Sequence, residues 1–110
     1  MSDPAAVLRA RAADLDALLA RLAADDDAVR ADRADQTADD EHDPEGSTLS
    51  GEWQRIEALR RSAASERAEV DAALDRVAAG TYGVCVVCGR AIPAARLEAR
   101  PFATTCVGCA

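Results

Sequence analysis

The four cysteines of this chain come as two pairs, Cys85 with Cys88 and Cys106 with Cys109, with seventeen residues between the pairs. Each CxxC pair puts two sulfurs on one tight turn, and two such turns facing each other supply the four thiolates of a tetrahedral zinc site. A pair of disulfides is the competing use of the same residues. It needs an oxidising compartment, and residues 1–16 carry charges every few positions with no apolar signal segment. The spacing therefore points to one zinc ion held by Cys85, Cys88, Cys106 and Cys109. With four cysteine ligands no position remains for water or substrate, so the expected role of the metal is structural and not catalytic.

A chain of 110 residues is one domain's worth, yet only Trp53, Tyr82 and Phe102 are aromatic. A large globular core is improbable, and the abundance of alanine, leucine, arginine, aspartate and glutamate favours long helices that bury a narrow stripe. Leu8, Leu15, Leu22 and Val29 recur every seven residues, with Leu18 and Leu19 filling the stripe between them. Ile56, Ala63, Val70 and Val77 form a second such series, reinforced by Leu59 and Leu74, in a helix expected over Trp53–Ala79 and closed by Gly80 in a left-handed conformation. Neither stripe can be buried alone, so the two helices should fold back on each other. Pairing Leu8 with Val77, Leu15 with Val70, Leu22 with Ala63 and Val29 with Ile56 centres the reversal between His42 and Asp43. The expected fold is mostly α: a long antiparallel two-helix coiled-coil hairpin over residues 1–80, with its tip near 39–51, joined to a small four-cysteine zinc finger over 81–110. At about 1.5 Å per residue, such an arm reaches about 50 Å. Pro44, Gly46 and Gly51 are expected to interrupt the helices, with Asp43, Ser47, Thr48 and Ser50 available as caps.

Charge narrows the partners. The formal net charge is -7 and every cation is an arginine. Between Asp25 and Glu45 ten acidic residues stand against Arg30 and Arg33. A nucleic-acid binder gathers the opposite sign on one face to displace counterions from phosphates, so the expected partner is a basic protein surface or a metal-bearing site. No apolar run approaches the length needed to cross a membrane, which gives the expectation of a soluble, cytoplasmic protein without membrane contact. Asp25, Asp26, Asp32 and Asp39 fall where seam residues might be expected, and the seam weakens there; Asp25, Asp26, Asp27, Asp32 and Asp35 nevertheless read as a solvated helix face. Asp40, Glu41, Asp43 and Glu45 crowd the reversal instead, where their mutual repulsion serves no packing purpose. Asp40, Asp43 and Glu45 are therefore the candidate partner-binding residues.

From Gly80 onward the sequence GTYGVCVVCGRAIPAARLEARPFATTCVGC resembles the zinc-finger end of the DksA/TraR family of RNA polymerase regulators. The pattern is two CxxC pairs with an isoleucine, an arginine and a proline at set intervals, here Ile92, Arg96 and Pro101. Val86 departs from it, where the family usually has an acidic residue or serine. Gly83 and Gly89 let the chain turn close to sulfur, Ile92 and Leu97 bury against the helical stem, and Pro101 redirects the chain toward the second pair. The resemblance implies a coiled coil that enters the secondary channel of RNA polymerase, with acidic tip residues approaching the catalytic centre and no specific DNA contact. The family's tip has two aspartates three apart, followed two residues later by alanine. Asp40 and Asp43 reproduce the aspartate spacing and Glu45 takes the alanine position, whereas counting back from Cys85 sets Glu45 nearest the second acid. Asp32 and Asp35 share the spacing but fall inside the first helix. DksA proper continues into a C-terminal helix beyond its last cysteine pair; its absence after Cys109, with the absence of lysine, argues against a site for the alarmone ppGpp and for a short, alarmone-independent member.

Three other classes compete. A zinc-ribbon nucleic-acid binder uses the same cysteines, but the finger offers only Arg90, Arg96 and Arg100 against Glu98, too little for a phosphate grip. A thiol-based redox sensor would lose its metal on oxidation and pair the cysteines. An enzyme is not expected, because the sole histidine, His42, stands among loop carboxylates with no nucleophile and orienting group around it.

Overall fold

Helix α1 (Pro4–Asp39) starts where the sequence gives it a favourable first turn. Proline at the first helical position lacks only an N–H that no helix carbonyl would accept, and its fixed φ is already helical. Asp3 caps the start, its Oδ1 accepting the Ala5 amide at 3.4 Å and its carbonyl accepting the Val7 amide at 3.1 Å. The structure, a computed structural model, describes the backbone of residues 3–39 and 44–110 and the side chains of 3–34 and 50–110. Helix α2 (Pro44–Ala79) also has proline at its first position. It ends as expected at Gly80, whose φ of 78° is the left-handed conformation that costs glycine nothing. There the Gly80 amide donates to the Val77 carbonyl at 3.2 Å and the Thr81 amide to Arg76 at 2.9 Å, so two carbonyls of the last turn are satisfied before the chain leaves.

One expectation about α2 is corrected. Gly46 and Gly51 do not interrupt it: the helix begins at Pro44 and runs through both glycines, and Ser47, Thr48 and Ser50 lie within it and not ahead of it as caps. Each interior glycine costs a helix about 1 kcal/mol relative to alanine, which the pairing of a long helix readily offsets. The four residues between Asp39 and Pro44 fall outside the described residues, and so does the expected reversal between His42 and Asp43.

The chain packs as two compact units. In residues 15–65, Leu22, Val29 and Ile56 form a buried cluster, with half-buried Leu18 and Trp53 packed against it. Leu15 and Ala63 are buried in the same unit. Leu59 does not reinforce this seam as expected, since it is 46% exposed. Asp26 departs further from expectation, because it belongs to the buried seam and not to the solvated face on which Asp25, Asp27 and Asp32 lie. It sits four residues after Leu22 and three before Val29, and Arg60 of α2 reaches its carboxylate at 3.3 Å.

Residues 1–14 with 66–110 make the other unit. Leu8, Ala12, Val70 and Ala73 are buried here, and Arg11 of α1 pairs with Glu66 of α2. The finger follows, with the short helix α3 (Ala94–Ala99) as its only α-helix among the described residues. Its single antiparallel bridge joins Val84 to Ala91, and a final 3-10 turn covers Val107–Cys109. The observed class is thus mostly α, two long helices followed by a four-cysteine module. No helix among the described residues is long and apolar enough to cross a membrane.

Candidate metal centre

The first cysteine pair is shaped by the bridge between Val84 and Ala91. The Cys85 amide donates to the Arg90 carbonyl at 2.8 Å, and the Gly89 amide returns to the Cys85 carbonyl at 2.9 Å. Closing this turn puts Gly89 at a φ of 74°. At the base of the loop Gly83, with φ of 82°, accepts the Ile92 amide at 2.7 Å. Ile92 is buried as expected, while Leu97 is half-buried. The second pair lies on the turn Val107–Cys109, where the Cys109 amide donates to the Cys106 carbonyl at 3.1 Å. A hydrogen bond from the Val86 amide to the Thr104 carbonyl, 2.9 Å long, ties the two turns together.

These turns bring all four sulfurs within 4.8 Å of one another, and Cys88 Sγ lies 3.8 Å from Cys106 Sγ. A zinc–sulfur bond of about 2.3 Å gives a tetrahedron with edges of about 3.8 Å, whereas a disulfide needs sulfurs about 2.05 Å apart. Each cysteine is a free thiol, and Cys85 is the buried one. The backbone amides of Cys88 and Cys106 aim at the Cys85 sulfur and draw its pKa down to about 6. Hydrogen bonds with Cys106, Cys88 and Cys85 push the Cys109 thiol up to about 12. The shared hydrogen bonds thus set the ionisation of one sulfur against that of another, and the last is held as a thiol by its neighbours, Cys106 foremost. A divalent cation at the centre removes that conflict and lets all four become thiolates. The cluster fits one structural zinc ion.

Side chains outside the cluster position the second turn, and sequence reading missed most of them. Arg96 Nε donates to the carbonyl of Thr105, the residue before Cys106, at 2.8 Å. Tyr82 Oη donates to the Pro101 carbonyl at 2.6 Å, and Arg76 Nη2 reaches the Phe102 carbonyl at 3.5 Å. Half-burial raises the Tyr82 phenol pKa, with Arg76 opposing it. Arg96 and Pro101 are visible in the motif, but their bonds join residues far apart in sequence. Of the acidic candidates, Asp40 and Asp43 lie outside the described residues, as does His42, and the Glu45 side chain is likewise undescribed.

Fold and centre together define the class: a helical hairpin protein with a structural C4 zinc finger. Residues 80–110 match the family model for the prokaryotic dksA/traR C4-type zinc finger. The match covers the finger, so residues 80–110 are similar to the zinc finger of that family. An uncharacterized protein of Aquifex aeolicus (strain VF5) is 48% identical over 42 residues, which cover 38% of this chain and 29% of that relative, well under two thirds of its length. The solved structure of transcription factor DksA2 from Pseudomonas aeruginosa superposes with a TM-score of 0.58 at 24% identity, over 94% of this chain and 80% of the other, a likeness of fold.

Proposed function

We propose that this protein is a cytoplasmic transcription regulator that binds RNA polymerase directly and inserts the acidic end of its hairpin into the secondary channel. The observation that carries the reading is the family's finger placed directly after a long helix pair, on a fold shared with a protein described as a transcription factor. Zinc gives the finger a fixed form, and the carboxylates of Asp40, Asp43 and Glu45 are the groups that act near the polymerase's catalytic metal. Negative charge suits that task, because a carboxylate can interact with a bound cation or with basic residues lining a channel. A phosphate-binding role for the finger is weaker, since Arg96 already holds the Thr105 carbonyl.

The test is a pulldown with the cognate RNA polymerase core enzyme, followed by in vitro transcription. The wild type is expected to bind at micromolar concentration and to change the lifetime of promoter complexes. Asp43→Asn and Glu45→Gln should bind and lose that effect. No binding at micromolar protein removes the proposal, and full activity of both variants removes the role of the acidic end.

A further inference from the structure

The structure assigns to Asp26 the selection of the register in which α1 pairs with α2. Asp26 is 3% exposed, the one buried charged residue among the described side chains. Its Oδ2 lies 3.3 Å from Arg60 Nη1 across the helix pair and 3.2 Å from Arg30 Nε on its own helix. Its Oδ1 is buried without a hydrogen-bond partner in the protein. Stability alone does not account for such a group, because a leucine in its place would need no hydrogen bond, and buried ion pairs commonly gain stability when replaced by well-packed apolar residues.

Register supplies the account. Leu15, Leu22 and Val29 repeat at sevens, as do Ile56, Ala63 and Val70, so apolar contact is satisfied again after a slip of one repeat. A slip in one direction sets Asp26 against Trp53, so that the carboxylate faces an indole across the pair, loses Arg60 and keeps only exposed Arg30 of its own helix. In the other direction it meets Arg67, but the start of α1 would then run past Ala79, where α2 ends. The Asp26–Arg60 pair therefore closes the slip that the helix lengths leave open. The consequence reaches function, because a slip of one repeat moves the reversal by half that length, about 3.5 residues. A different set of residues would then occupy the turn. The inference stands without the polymerase reading, since it concerns pairing alone.

Solution NMR of the full-length, zinc-loaded protein tests it. The wild type should give one set of amide resonances for residues 15–34 and 50–65, with cross-helix contacts within the cluster of Leu22, Val29 and Ile56. Asp26→Leu/Arg60→Leu should give more than one set, or one set in which those contacts are replaced by contacts one repeat away. A single set with the wild-type contacts overturns the inference. If the double variant fails to fold, Asp26→Leu alone serves, because Arg60 keeps Glu57 as a partner at 3.3 Å. The same two readings decide.

Discussion

Arg96 shows how one side chain outside the sulfur cluster can govern the metal. Its hydrogen bond to the Thr105 carbonyl holds the backbone one residue before Cys106. Removing a group that orients a ligand typically weakens metal binding by about 10- to 100-fold. Arg96→Ala should therefore lose zinc to a competing chelator at roughly that much lower chelator strength, with Arg96→Lys intermediate because an ammonium on a flexible stem aims less well; wild-type retention in Arg96→Ala would refute the role. Gly83 makes a second residue-level demand. A Cβ there would lie 3.5 Å from Leu97 Cδ1, ordinary contact, so the penalty of Gly83→Ala is the left-handed backbone, about 1–2 kcal/mol. A lower thermal midpoint for loss of the finger checks this. The cysteine ligands and Gly83 could be read from spacing and from the need for tight turns. Asp26 could be read only in part: its seam position shows in the sequence, but an aspartate in an acidic stretch also looks like solvated surface, and nothing local marks Arg60, 34 residues on, as its partner. Tyr82 bonding Pro101 gave no signal either, since nineteen residues of chain separate the two partners.

Helices and finger draw their stability from different sources, which makes them separable. The hairpin buries a seam of Leu22, Val29 and Ile56 in one unit, whereas the finger contributes Cys85 and Ile92 as its buried side chains. Zinc binding in small modules is worth on the order of 10 to 16 kcal/mol, more than the stability of a typical domain. Chelation, or Cys106→Ser, should unfold residues 80–110 while much of the helical signal of residues 15–65 persists. Hydrogen exchange measures both, and protected finger amides after chelation would contradict the account. The helix that sequence reading started too late, at Trp53, offers another test. Gly51 lies inside α2 with no atom within 4 Å of a built Cβ, so Gly51→Ala should stabilise by about 0.5–1 kcal/mol and raise the thermal midpoint. Destabilisation would show that the helix does not continue through this position. The heptads were legible because seven-residue spacing survives in any apolar residue type. The start of α2 was not, because proline at a first helical position and glycine within a helix are weak local signals that pairing overrides.

As a whole molecule, the chain joins a metal-fixed finger to two helices whose connection is rich in carboxylates. Sequence alone carried this architecture, since four cysteines at CxxC spacing and two heptad series admit few other arrangements. On the proposed function, what the acidic residues act on belongs to a partner and is written in no single chain. Because attraction between carboxylates and a basic surface is screened by salt, affinity for RNA polymerase should fall as ionic strength rises, and a flat salt profile would deny electrostatics a part. The most direct test places a photo-cross-linker at position 43 or 45 in the zinc-loaded protein and maps its adducts on RNA polymerase core. Cross-links to the inner end of the secondary channel, beside the catalytic metal, are the predicted result; adducts confined to the outer surface of the polymerase, or none under conditions where the protein binds, would contradict the account.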